Sequence, residues 1–391
     1  MNRSMNRSMK SAKKIATNNK RPFSAKIARS KIAHLALAAT TSVVCLLPLS
    51  ASAKTSPNDI TGLNIFGDSL SDAGNLFNLT GFPPSPPYTQ RFSNGPLWVE
   101  QLASKLGLAP ALSTAVLPEL ISGTIPPPTQ GINFAIGGSL SSDINVGGPP
   151  LPGLQQQIET FGGFSTFIPP DPDALYILLA GGNDYNEALF RPSSLTVPLS
   201  ELPNQVTDNL TNAATALIQS GAKHLLVGNL PNLSGQPFST FLDTFNPQSS
   251  EVLSNLSIQH NQLLQQKLTQ LQTTSGAHIT QLNLADFFAS ATQNPDAFGF
   301  TNVTESCLTN FQPGFVFEGI CDNPDEFLFW DNVHPTEAGH GAIAQFAFAT
   351  LSEKAPPTNP PQSIPEPIGV LGLLIGTGIG VITLKDRRSA A

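Results

Sequence analysis

The sequence predicts one α/β domain of three layers, a parallel five-stranded sheet between two layers of helices. Three observations lead there. Short apolar runs ended by glycine recur through residues 60–355. They lack the polar alternation of a half-exposed sheet, so they suit strands buried on both faces. Longer amphipathic segments separate them, and that alternation favours parallel strands joined by crossover helices.

In chain order, "GLNIFG" (62–67) reads as the first strand and "GINFAIGG" (131–138) as the second. "ALYILLAGG" (174–182), almost wholly apolar, reads as a central third strand. "AKHLLVGNLP" (222–231) and "AHITQLNLA" (277–285) complete the five, a count that suits a flavodoxin-like order. Between them, 96–107 places Leu97, Val99, Leu102 and Leu106 on one helical face. Residues 201–219 and 250–272 have a helical period, and 335–351 closes the domain with Pro335 near its first turn. Two loop-rich insertions, 76–94 and 294–328, fall where ligand-facing loops are expected.

The 391 residues carry few charges, 12%, and are rich in Pro (35), Gly (31) and Phe (24). The net charge of −7 hides an asymmetry, because ten of the 20 Lys and Arg lie in residues 1–33, where there is no acid. Without that segment 10 basic residues face 27 acidic ones, net −17. A body so acidic is not expected to seek nucleic acid.

The basic segment leads into an apolar run from Leu35 to Leu49 and then Ala51-Ser52-Ala53. That order predicts a secretory signal peptide over 1–53, followed by a domain over 54–354. A Pro-rich linker (355–363) precedes Pro365-Glu366-Pro367, the uncharged apolar run Ile368–Leu384, and Lys385, Arg387 and Arg388. The run is near the short limit for a membrane span, and the basic end is expected inside. Segment 364–391 resembles PEP-CTERM sorting tails of Gram-negative and cyanobacterial exported proteins. That resemblance implies an exosortase-type processing partner and an exported or surface-displayed body; the alternative is a plain C-terminal membrane anchor. In such a compartment Cys307 and Cys321 are expected to form one disulfide, the alternative being two buried free thiols. No Cys-x-x-Cys or His pair stands at ligand spacing, so no metal is expected.

Ligands of open parallel sheets bind beyond the carboxyl ends of the strands. Four polar features fall there or in the final loop. Ser69 follows the first strand, Gly137-Gly138 the second and Asn183-Asp184 the third, while Asp331 and His334 precede the last helix. A serine hydroxyl needs a base to attack, and the base needs an orienting acid. Of six histidines, His34 lies in the leader, His224 and His278 in strands, and His260 and His340 on helices, the first of these expected to be exposed. His334 alone sits in a loop with a carboxylate three residues before it. The Ser69 N–H at a helix start, the Gly138 N–H and the Asn183 amide could meet a developing oxyanion. Each feature also has a bland reading: Ser69 a helix cap, the glycines a tight turn, Asn183-Asp184 an Asx-turn or cap, and Asp331 a cap of the last helix. Asp68 and Asp72 read as shaping the turn.

Together "FGDSLSDAGN", "NFAIGGS", "AGGNDY" and "DNVHP" resemble the four blocks of the GDSL (SGNH) serine esterases and lipases over about 60–350. The resemblance implies a three-layer hydrolase without metal or cofactor, with Ser69 as nucleophile, His334 as base and Asp331 as its support. It implies an oxyanion hole of the Ser69 N–H, Gly138 (Gly137 being the adjacent alternative) and Asn183, and an ester substrate, lipid or acylated polymer. Ser139 departs from the pattern, standing where Ala is frequent. No serine lies in a Gly-x-Ser-x-Gly elbow, which disfavours the other common serine-hydrolase fold. An acyltransferase on the same site, or a catalytically silent surface-displayed binding module, are the competing functions.

Overall fold

The computed structural model describes residues 57–165, 167–194, 196–312 and 314–352. The expected signal peptide (1–53), Pro-rich linker (355–363) and sorting tail (364–391) lie outside the described residues. Among those described, no helix is long and apolar enough to cross a membrane.

The elements run β1 (Leu63–Gly67), α1 (Asn75–Thr80), α2 (Trp98–Leu106), β2 (Ala111–Leu112), α3 (Ser113–Ser122), β3 (Ile132–Asn133) and α4 (Leu154–Gly163). They continue with β4 (Leu175–Leu179), α5 (Gly182–Phe190), α6 (Leu202–Ser220), β5 (His224–Gly228), α7 (Pro237–Asp243), α8 (Ser249–Ser275), β6 (His278–Leu282) and α9 (Leu284–Gln293). Short β7 (Asn302–Ser306), β8 (Leu308–Thr309), β9 (Gly319–Ile320) and β10 (Phe327–Phe329) precede α10 (Glu337–Ser352).

The sheet is parallel, in the order β2-β3-β1-β4-β5-β6. It therefore has six strands, not five. The extra one, β2, is a two-residue edge pairing Ala111 with Ile132, too short to stand out as an apolar run. The other five keep the flavodoxin-like order. Alternate strand residues feed two separate cores, as the period of two requires. Phe66, Tyr176, Leu178, Leu225 and Val227 meet α4, α6 and α8 on one face. Ile65, Ile177, Leu179, Leu226 and Leu282 meet α2, α9 and α10 on the other.

Strand order reverses between β1 and β4, since β3 lies on one side of β1 and β4 to β6 on the other. This switch point is where side chains can diverge into a crevice. The 294–328 insertion folds as two small sheets, β10–β7 and β8–β9, closed by the expected Cys307–Cys321 disulfide. His260, expected exposed, is instead fully buried on α8 and bonded to the Tyr185 hydroxyl at 2.9 Å. The Asn- and Gln-rich α8 hides which of its faces is inward.

Candidate active site

β1 delivers Ser69 to the switch point. At its last residue, Gly67, a Cβ would lie 2.1 Å from the Leu179 carbonyl oxygen, so only glycine lets β1 close against β4 there. Gln157 of α4 pins the same residue twice, accepting from the Gly67 N–H (2.9 Å) and donating to its carbonyl (2.8 Å). The next turn is closed by the Ser71 and Asp72 N–H groups on the Asp68 carbonyl, each at 3.0 Å. Ser69 thus sits in a single helix-like turn and caps no helix. The first-turn N–H groups of α1 go to Asp72, which accepts from Gly74, Asn75 and Leu76. The expected helix start at Ser69 is corrected to Asn75, with Gly74 at the N-cap position and the Asp72 carboxylate two residues before it taking the N–H groups of the first turn.

Asp72 also reaches across to the second block, accepting the Gly137 N–H at 2.7 Å. Gly137 is thereby occupied. The Gly138 N–H meets no acceptor among the described residues and belongs to a glycine at φ +79, where L side chains are strained. Ser139, the departure from the family pattern, ties this loop down. Its buried hydroxyl donates to the Ile136 or Pro152 carbonyl, both at 2.8 Å, and accepts from Gln157 at 2.9 Å. Asn183 lies in the first turn of α5, directly beyond β4, and caps nothing. Its amide donates to the Ser139 carbonyl at 3.0 Å, which aims the group at the crevice and leaves its second hydrogen unused there. Asp184 points the other way, accepting from the Ser141 N–H (2.9 Å) and hydroxyl (2.8 Å).

His334 Nε2 lies 2.8 Å from Ser69 Oγ, and its Nδ1 lies 2.8 Å from Asp331 Oδ2 and 2.9 Å from Oδ1. Asp331 does not cap α10. Thr336 does, accepting the Gly339 N–H at 3.0 Å. Asp331 instead binds its own turn, accepting from the Val333 and His334 N–H groups at 2.8 Å each. Burial alone would raise the Asp331 carboxyl, but the nearby His334 and these donors outweigh it and hold it below its usual range. The bond to Nδ1 fixes the tautomer, turning the Nε2 lone pair toward the hydroxyl. The remaining helix histidines, His260 and His340, are pushed down to about 3 by burial and stay neutral at working pH.

An apolar cleft of about 400 Å³ opens on Ser69, Gly138, Asn183 and His334. Leu76, Phe82, Phe92, Val146, Leu151 and Phe315 wall it. Phe92 also stacks on the His334 ring, centroids 4.9 Å apart. Among the described residues, no group of three His, Cys, Asp or Glu could hold a metal ion.

A model of the GDSL-like lipase/acylhydrolase family matches residues 63–347. The chain belongs to this family. An uncharacterised protein of the trpE-trpG intergenic region of Pseudomonas putida is 31% identical over 321 residues, 76% of this chain and 49% of that one. The chain thus spans about half the length of that relative. Phosphatidylcholine-sterol acyltransferase of Aeromonas hydrophila is 28% identical over 361 residues, 79% of this chain and 96% of that one. A solved acetylxylan esterase of Geobacillus stearothermophilus aligns over 75% of this chain and 95% of its own at 14% identity, TM-score 0.38.

Two residues of this GDSL-family chain bear on the site and escaped the sequence. Gln157 sits mid-helix with nothing but its burial to mark it. Tyr88 donates its hydroxyl to Asp331 Oδ2 at 2.7 Å from a loop 243 residues away. A lone tyrosine in a Pro-rich insertion carries no spacing signal.

Proposed function

We propose that this chain is an exported serine hydrolase of carboxylic esters working through an acyl-enzyme on Ser69. The observation that carries the reading is the continuous bond line Ser69–His334–Asp331, with 2.8 Å contacts on both sides of the imidazole, facing an apolar cleft. His334 Nε2 takes the Ser69 proton as Oγ attacks the ester carbonyl, and Asp331 stabilises the imidazolium. The oxyanion is met by the N–H groups of Ser69 and Gly138 and the Asn183 amide. His334 then gives its proton to the departing alkoxide, and the alcohol leaves. Water, deprotonated by His334, attacks the acyl-enzyme, and Ser69 recovers its proton as the acid departs. No cofactor enters any step.

Export is inferred from the 1–53 pattern and the Pro-Glu-Pro tail, with an exosortase-type processing enzyme as partner and the 368–384 run as a transient or permanent anchor. A fluorophosphonate probe should label the wild type and fail to label Ser69→Ala. Equal labelling of both would remove Ser69 as nucleophile. The Aeromonas relative's name favours one second reading, acyl transfer to an alcohol acceptor on the same site. Product analysis of a phosphatidylcholine ester with and without added sterol separates the two. The bond line at Ser69 speaks against a silent binding module.

A further inference from the structure

Asp331 is a carboxylate 1% exposed, and its donors divide unequally by origin. Val333 N–H, His334 N–H and His334 Nδ1 all come from the turn that Asp331 itself begins. Among the described residues, one donor arrives from outside that turn, the Tyr88 hydroxyl. A carboxylate held only by its own turn can rotate with it; a donor from a separate segment fixes it to the rest of the molecule. Burial first, and then the Asp331 charge and hydrogen bond, push the Tyr88 hydroxyl up, so it stays protonated and donates.

The segment bearing Tyr88 is itself fastened to the same loop. The Ser93 hydroxyl donates to the Pro335 carbonyl at 2.9 Å, and Asn94 accepts the Glu337 N–H at 2.7 Å. The Tyr88 ring packs edge-on against Phe92 (6.3 Å), Phe315 (5.7 Å) and Trp330 (6.4 Å). Phe92 and Phe315 are also walls of the apolar cleft, and Phe315 lies within the disulfide-closed loop Cys307–Cys321.

We propose that Tyr88 is a positioning residue for the triad's acid, and that Phe315 of the cleft wall braces Tyr88 so that cleft packing and Asp331 orientation are one unit. Tyr88 touches neither substrate nor Ser69 and acts through Asp331. This rests on the serine-hydrolase reading above. Charge-assisted hydrogen bonds are the strong ones, and loss of a buried one leaves the carboxylate under-satisfied. Phe at 88 keeps the ring and its packing and removes only the donor.

The test uses purified full-length protein and p-nitrophenyl acetate, an ester too short to fill the cleft, so that acyl packing does not confound the result. Tyr88→Phe should lower kcat about tenfold or more while KM changes less than about twofold and the thermal midpoint stays within a few degrees. Phe315→Ala should also lower kcat for acetate, although it contacts none of the reacting atoms. In the double variant the losses should not add, because both act through one bond. Wild-type kcat in Tyr88→Phe, or losses that multiply in the double variant, would overturn the proposal. Should Tyr88→Phe fail to fold, the kcat of Phe315→Ala decides alone: an unchanged value overturns the brace. Ser69→Ala is the control for the underlying reading. If it keeps activity, the hydrolase assignment fails; if it is dead and Tyr88→Phe is normal, only the positioning role fails.

Discussion

Gly137 gives its N–H to the Asp72 carboxylate at 2.7 Å, while the N–H of the neighbouring Gly138, which also lines the cleft, meets no acceptor among the described residues. One acid thus ties the first block to the second, for it also gathers three N–H groups at the start of α1. Asp72→Ala leaves four buried donors unmet. It should cost several kcal/mol of stability, on the order of 1–3 kcal/mol for each unsatisfied group before relaxation. Urea unfolding measures it, and a loss under about 1 kcal/mol would contradict the clamp.

Gly138→Ala and Asn183→Ala probe the proposed oxyanion site in different ways. At Gly138 the backbone is left-handed, and a Cβ would lie 2.8 Å from Asn145 Oδ1, so alanine should lower both stability and kcat. Asn183→Ala removes one donor and one hydrogen bond of the loop. It should lower kcat by about 10²–10³-fold with little effect on KM. A larger effect on KM than on kcat would place Asn183 in ground-state binding instead.

The buried carboxyls respond to pH with opposite signs, Asp331 lowered and Asp68, Asp72 and Asp184 raised. Asp331 is held below its usual range, so its contribution to stability is present above about pH 4 and is lost as pH falls further. Burial pushes Asp184 from 3.8 up to about 6 and Asp68 up to about 7, against the pull of the N–H groups that each accepts. These two favour the fold only while protonated. Their contribution is full below about pH 4, fades as the unfolded forms ionise, and levels off above about pH 6 and 7. For Asp184 the difference corresponds to up to about 3 kcal/mol. Denaturant unfolding at pH 4.5, 6 and 7.5 should show this slope in the wild type and less of it in Asp184→Asn. Parallel curves for the two proteins would refute the account.

Asp331→Asn should reduce kcat by on the order of 10³–10⁴-fold, because the amide favours the wrong imidazole tautomer and cannot stabilise the imidazolium. Folding should survive, since one side-chain oxygen can still take the Val333 and His334 N–H groups. Hydrolysis of p-nitrophenyl butyrate and a thermal melt test both halves of the statement.

Reduction of Cys307–Cys321, or Cys→Ser at both, should cost about 3 kcal/mol of stability on the chain-entropy argument for a loop of 14 residues' separation. The loop carries Phe315, so hydrolysis of decanoyl esters should fall more than that of acetyl esters. Equal losses across chain lengths would detach the loop from the acyl wall.

The central strands β1, β4 and β5 were legible because each is an apolar run, buried almost throughout, that leads into glycine, whereas β3 shrinks to two residues of its expected run and β6 is only half-buried. The four polar groups were legible because parallel strands bring their carboxyl ends to one edge. What stayed hidden depended on distant approach. β2 is two residues long and exists only because β3 lies beside it. Gln157 and Tyr88 read as ordinary polar residues until the fold sets them against Gly67 and Asp331. The opposite error occurred at Ser69, where local pattern suggested a helix start, but the helix begins six residues later at Asn75.

His334 joins Ser69 across a sequence separation of 265 residues. During synthesis the hydroxyl therefore emerges long before its base. On the serine-hydrolase reading proposed above, a growing chain that ends before the final loop holds Ser69 without its base. On the proposed reading the site is completed only near the end of the domain, when the loop that carries Asp331 and His334 reaches the serine that follows the first strand.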